Sequence, residues 1–376
     1  MNILKWELTK VFEQKSIYVI AIILFGLFTF SKFSNTFETE FTQKAYKKWE
    51  GPLTEEKIAK AEKLNAELNE YFFSKEQAPD EWKSAQAGLF ENIAYGKNIE
   101  NTILERDKEL EKLINDAKSK NDESLTRMLQ IQREMYNEIK INKISYFQGP
   151  NETVDFVNVY GLILTGVFLL VGLAGIYSNE HSSGVENFIL STRNGRTKTM
   201  MAKLSASSIF ATVTVLLGEA FNLITHTIIY GTKGWDLPIQ YSFKYYFSPY
   251  SLTFMEYHLI QIALHLLGAI AFAGVIVIIS ILSNSTVISF FVSGFLFGIP
   301  ILIDSIMDMP QQWIKDVMRY TLTNIIKVEE LFMDFITLNV FGYTVLAPYL
   351  GIAFSVVILV LSVILAKFLI VKKQIE

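Results

Sequence analysis

Six stretches of the chain are long and apolar enough to cross a bilayer, at residues 17–33, 156–178, 204–228, 257–281, 286–304 and 345–370. A hydrocarbon core takes about 20 residues of helix, and a backbone inside it must satisfy its own polar groups. The expected fold is therefore an all-α membrane protein with six transmembrane helices. The first stretch, IYVIAIILFGLFTFSKF, follows Lys5, Lys10 and Lys15, as a signal-peptide core would. No small-x-small cleavage site comes after it, so it reads as an uncleaved span.

Charge is not spread evenly over the 376 residues, of which 51% are hydrophobic. It gathers in residues 34–154, the pattern of a membrane protein carrying one soluble insert. The absence of cysteine excludes disulfides, thiolate zinc sites and cysteine nucleophiles. No Gly-x4-Gly-Lys-Ser/Thr loop is present to cradle the phosphates of ATP, and no His-Glu-x-x-His run to hold a catalytic zinc. A net charge of −4 makes no case for nucleic acid.

Lys and Arg in the short loops set the orientation. With the N-terminus inside, the cytoplasmic pieces carry Lys5, Lys10, Lys15, Arg193, Arg196, Lys198, Lys203, Lys367, Lys372 and Lys373. The short outer loops carry only Lys233, Lys244, Lys315, Arg319 and Lys327. Both termini are thus expected in the cytoplasm of a multi-pass cell-membrane protein, with 34–154 extracellular. The domains follow as an interfacial helix (1–16), the first span (17–33), an extracellular helical hairpin (34–154) and a five-span region (155–376).

Within the insert, 53–73 is rich in helix formers, and Asp80 can cap a second helix. Ile99, Ile103, Leu110, Leu113 and Ala117 fall near heptad spacing, interrupted by Arg106. KSKND (118–122) reads as a turn with Asn121 or Asp122 as the next cap, and Leu125, Met128, Met135 and Ile139 stripe the return helix. At the N-terminus, most of Ile3, Leu4, Trp6, Leu8, Val11 and Phe12 share one broad helical face, suited to lying flat in the cytoplasmic interface. The aromatic loops 229–256 and 305–344 are expected on or in the outer leaflet, and LSNST (282–286) closes spans four and five into a tight hairpin.

The longest cytoplasmic loop, 179–203, carries VENFILST, which can form two helical turns with Phe188, Ile189 and Leu190 as an apolar contact. Gly184 permits a break before it, and Ser182 or Ser183 can help cap it. Glu180, Ser183, Gly184, Leu190, Ser191, Thr192, Arg196 and Lys203, in that order, resemble the second-to-third-span loop of type-2 ABC-transporter permeases. The amphipathic start, the six-span plan, ISILSNS between spans four and five and the basic tail KFLIVKK add to the resemblance. It covers nearly the whole chain except 34–154. The family commonly has Pro after Ser-Thr, where this chain has Arg193.

The resemblance implies a permease that pairs with a second permease and with two cytosolic ATPase subunits. ATP and Mg would then sit on the partner chains, with no cofactor or metal in this one. Glu180, Gly184, Glu186, Phe188, Ile189, Leu190, Arg193 and Arg196 become the ATPase-coupling residues.

Two polar triples interrupt the apolar spans: Glu219, Asn222 and His226 in span three, and His258, Gln261 and His265 in span four. Each has three- and four-residue spacing, so each lies on one helical face. Glu219 and His265 are expected roughly 12–14 Å deep, where they could pair. A carboxylate in hydrocarbon costs about 2.5–3.5 kcal/mol on insertion scales, so Glu219 must face protein or water. The triples read as an interhelical hydrogen-bond cluster, a cation or proton site, or the lining of a path.

The leading functional reading is a permease subunit of an ATP-driven exporter. Its expected cargo is amphipathic or hydrophobic, such as an antimicrobial peptide exported or expelled for immunity. The alternatives are a cation exporter of the same family, an intramembrane enzyme built on Glu219, and a membrane sensor or adaptor that transports nothing.

Overall fold

The computed structural model describes residues 3–33, 36–74, 81–192, 195–306 and 311–373. Six helices among them are long and apolar enough to cross a membrane: Lys15–Lys32, Gln148–Ser182, Thr197–Tyr230, Phe254–Leu282, Thr286–Ile303 and Ala347–Lys372. They are spans one to six below. The chain is a helical multi-pass membrane protein. Span four lies at the centre, where Ala269, Phe272, Ala273, Ile276 and Val277 are buried against spans two, three and six. Small residues allow this close approach. Gly274 backs onto Ser362 of span six, and Gly268 onto Ile326 of the segment before it.

Span two is not one continuous α-helix. It opens with an α-helical segment, Gln148–Phe156, passes through a π-helical turn at Val157–Gly161, and resumes at Leu162–Leu173. It breaks again at Ala174 before the last segment, Gly175–Ser182. Ser280 of span four fills that break: its hydroxyl donates to the Ala174 carbonyl at 2.8 Å and accepts from the Tyr177 and Ser178 amides, each at 3.0 Å. The backbone groups freed by the kink are thereby satisfied by a neighbouring span. Thr286, opening span five, bonds to Asn179, so the short link after span four is fastened to the end of span two.

The insert forms helices at Thr36–Lys47, Glu55–Ser74, Glu81–Ser119 and Glu123–Asn137. A two-residue ladder, Gly51–Pro52 against Lys143–Ile144, brings its two ends together. Asp122 caps the return helix, its carboxylate accepting from the Leu125 amide at 2.9 Å. Asp80, the expected cap of the preceding helix, lies outside the described residues. The hairpin seam departs from the heptad reading. Ile99, Leu110, Ile114 and Ala117 are buried while Leu113 is exposed, and Leu129 and Tyr136 are buried while Leu125 is exposed. An α-helix drifts against a strict seven-residue repeat, and steps of four and three then bring Ile114 inward in place of Leu113.

The loop at 229–256 packs against the insert. Leu237, Ile239, Tyr241, Tyr245 and Tyr250 are buried in one cluster with Leu89, Phe90, Ile93 and Ile144 of the insert and with Leu331 and Phe332. Aromatic side chains supply the apolar area, and the insert supplies the partner. The 305–344 segment adds an amphipathic helix, Gln312–Arg319, a short helix, Leu322–Lys327, and a hairpin of strands Thr337–Val340 and Tyr343–Leu346. The hairpin turn holds Phe341 at φ +52° and Gly342 at φ +89°, the left-handed pair that a two-residue turn requires. Its pattern was concealed by the Phe at the first turn position.

Candidate coupling surface and intramembrane polar cluster

The loop after span two contains the expected short helix, Val185–Ser191. Gly184 precedes it at φ +72°, a left-handed conformation that glycine adopts without penalty. The serines do not cap it. Ser182 and Ser183 donate back to the Asn179 and Glu180 carbonyls, closing the previous helix instead. Leu190 is buried and Ile189 half-buried, whereas Phe188 is 76% exposed and Val185 also faces outward. Arg193 lies outside the described residues.

Both ends of the chain hold this loop. Lys203, 1% exposed at the start of span three, donates to Glu180 at 2.8 Å, to Glu7 at 3.0 Å and to the Ile176 carbonyl at 2.7 Å. Lys10 reaches the same two carboxylates, Glu180 at 2.8 Å and Glu7 at 3.1 Å. Two lysines and two glutamates thus alternate, neutral as a set, and each buried charge has an opposite partner. Burial pulls the Lys10 ammonium down, but its hydrogen bond and charge contact with Glu180, helped by Glu7, outweigh this and hold it above its ordinary value.

The N-terminal helix, Ile3–Phe12, is therefore more than a lipid anchor. Its polar face turns Glu7 inward, Val11 is buried, Phe12 meets Phe210 edge-on at 5.4 Å, and Gln14 beyond it bonds to the Gly172 carbonyl. A cleft of about 430 Å³ opens between this helix and the end of span two, lined in part by Glu7, Lys10, Gln14, Asn179 and Glu180.

At the other end of the chain, the Arg196 guanidinium donates to the carbonyls of Ile370, Val371 and Lys373, at 2.8–3.0 Å. These are carbonyls that the last turn of a helix leaves without partners. Glu186, in the first turn of the loop helix, accepts from Lys373 at 2.6 Å and pairs with His181 at 2.7 Å. Burial pushes the Glu186 carboxyl up, but the bonds from Lys373 and His181 more than offset this and leave it below the usual carboxylate range.

The two polar triples do come together, though not as the depth estimate proposed. His265 pairs with Thr165 of span two at 2.8 Å and not with Glu219. Glu219 instead accepts from Asn222 at 3.1 Å and faces His258, with Oε2 3.7 Å from Nε2. Equal residue counts from the span ends do not fix which side chains of two neighbouring helices face each other. Asn222 also donates to the Thr153 carbonyl and accepts from His226 at 2.7 Å. Gln261 donates to the Val154 carbonyl and to Asn158, whose amide reaches the Tyr245 hydroxyl. The cluster therefore includes Thr153, Asn158 and Tyr245, which polarity along spans three and four could not reveal. Its backbone acceptors lie one turn before the π-helical turn of span two. Among the described residues, no group of three or more His, Asp or Glu side chains is arranged to hold a metal ion.

No protein-family profile, curated protein or solved structure matches the chain.

Proposed function

We propose that this chain is the membrane-spanning permease subunit of an ATP-driven exporter of the type-2 ABC class. One observation carries the reading. The helix Val185–Ser191 is fastened through Glu186 to Lys373 at the end of span six, the Lys203 pairs with Glu180 and Glu7 tie the two ends of its loop to the N-terminal helix, and Phe188 projects from it unburied. A short helix braced in this way transmits a push on Phe188 to spans two, three and six together. The absence of a phosphate-binding loop fits a motor on separate chains, two cytosolic ATPase subunits holding ATP and Mg. Exposed apolar faces on span one (Ile22, Leu27, Phe30) and span five (Phe291, Phe295) leave room for lipid and for a second permease.

In this reading the protein sits in the cell membrane with both termini cytoplasmic and 34–154 extracellular. The cargo is an amphipathic or hydrophobic molecule, such as an antimicrobial peptide being secreted or expelled. The buried Glu219–His258 pair favours, as a second reading, a cation-exporting permease of the same class.

The test places a photo-crosslinking residue at position 188 of the full chain in its native membrane and identifies the captured protein. Capture of an ATPase, lost when Phe188→Asp is introduced beside a crosslinker at position 185, is the expected result. Full helical content with no ATPase captured from either position would sink the exporter reading. An intramembrane enzyme or a sensor would then be favoured.

A further inference from the structure

The polar cluster contains a conflict that only a proton resolves. Gln261 uses its amide nitrogen twice, toward the Val154 carbonyl at 3.1 Å and Asn158 Oδ1 at 2.9 Å. That fixes Gln261 Oε1 as an acceptor, so His258 Nδ1, 3.3 Å away, must carry hydrogen and donate to it. A neutral His258 then presents a bare lone pair at Nε2, which has no hydrogen-bond partner. The group it faces is Glu219 Oε2, itself an acceptor of the Asn222 amide. Asn222 cannot turn to help, because its nitrogen also serves the Thr153 carbonyl and its oxygen takes the bond from His226 Nδ1. Two lone pairs therefore oppose each other between side chains that are 2% and 5% exposed.

We infer that Glu219 and His258 hold one exchangeable proton between them and form a proton-binding site within the transmembrane bundle. The proton sits either on the Glu219 carboxyl, facing a neutral imidazole, or on His258 Nε2, facing a carboxylate. Both arrangements are neutral, and its release to water leaves a net charge of −1 on the pair.

No other cation is free to balance that charge among the described residues. On span one, Lys32 is paired with Glu152 of span two. Asp155 of span two and Glu329 beyond span five both hold Lys244 of the outer loop. The remaining histidines of spans three and four are bonded to Asn222 and Thr165, and the Tyr245 and Tyr257 hydroxyls to each other. Trp235 covers His258, its ring centre 5.5 Å from the imidazole. An uncompensated carboxylate in such a place is strongly disfavoured. Proton release therefore requires water to enter between spans two, three and four, so it accompanies opening of this end of the bundle. This inference holds whether or not the permease reading does.

The experiment is infrared difference spectroscopy of the full chain in lipid nanodiscs, titrated between about pH 5 and pH 9. The wild type is expected to lose a buried carboxylic-acid band as pH rises. Glu219→Gln, which keeps the size and hydrogen bonding of the side chain, should lack that band. In His258→Gln the midpoint of the band should move by about one pH unit or more. A band unmoved in His258→Gln would assign the proton to Glu219 alone and overturn the shared site. A Glu219 carboxyl that is protonated throughout the range, or ionised throughout it while the ¹⁵N resonance of His258 Nε2 also stays constant, overturns the exchangeable proton. Should His258→Gln fail to fold, the ¹⁵N resonance of His258 Nε2 in the wild type replaces it. That resonance must titrate together with the carboxyl band, and one that stays constant while the band changes overturns the inference.

Discussion

Lys203 and Glu180 meet at 2.8 Å, one at the start of span three and the other near the end of span two. The contact closes the base of the 179–203 loop, and because Lys203 also bonds to Glu7 it makes the N-terminal helix part of the same unit. The loop helix therefore cannot move independently of its surroundings.

Lys203→Met removes the one cation that touches Glu7, Glu180 and the Ile176 carbonyl together. Breaking a buried ion pair from one side costs about 3–5 kcal/mol. Thermal unfolding in detergent should show a large fall for Lys203→Met, and adding Glu7→Gln should recover part of it. Additive losses in the double variant would show that Glu7 and Lys203 are not coupled.

Glu186 gives a pH signature. Its carboxyl lies below the ordinary range in the folded chain, so its contribution is fully present above the ordinary carboxylate value and is lost as pH falls through the lowered one. Hydrogen exchange at residues 370–373 should therefore quicken as pH falls below the ordinary carboxylate value, relative to the pH dependence of unprotected amides. Lys373→Ala should show the faster exchange already at neutral pH. Equal exchange in the two proteins would mean that the tail is not held by Glu186.

Gly172 of span two lies against Phe210 of span three. A Cβ there would sit 2.5 Å from the ring of Phe210, which is itself buried against Phe12. Gly172→Ala should cost about 1–3 kcal/mol by overpacking. Gly298→Ala, where a Cβ meets nothing within 4 Å, should leave stability unchanged or slightly raised. Melting curves of the two variants side by side decide this, and matching curves would refute the packing argument.

Asp107 of the long insert helix accepts from Arg133 at 2.6 Å and from Asn137 at 2.8 Å on the return helix. The hydrogen bond from Arg133, with that from Asn137, draws its carboxyl down to about 2. Asp107→Asn should speed hydrogen exchange in Glu123–Asn137 at neutral pH without altering the spans. In the wild type the same loosening should be absent until the pH approaches the lowered value. No change in exchange at neutral pH would count against this clamp.

Helix existence and order were legible because burial in lipid imposes a length and a composition that local residues alone satisfy. The loop helix at 185–191 was equally readable, from Gly184 and the apolar triplet after it. Partner choice was not. Glu219 could be recognised as needing a partner, but the partner depends on how span four sits against span three, which residue spacing along either span does not reveal. Glu7 was hidden for a related reason. Lying on the polar face of an amphipathic helix, it looks solvated until a buried lysine from a distant part of the sequence arrives opposite it. The packing of the 229–256 loop on the insert was not legible, because aromatic density suits a membrane surface and a protein core equally well.

The shared core of the insert and the later loops has a consequence for biosynthesis. Leu89, Phe90 and Ile93 are made long before Leu237, Tyr241 and Phe332, which share one core with them. A domain whose core is completed by later sequence cannot finish folding while the chain is still emerging. The insert must therefore wait, with its apolar face uncovered, until spans three to five have been made. Its maturation is thus timed by insertion of the bundle rather than by its own sequence.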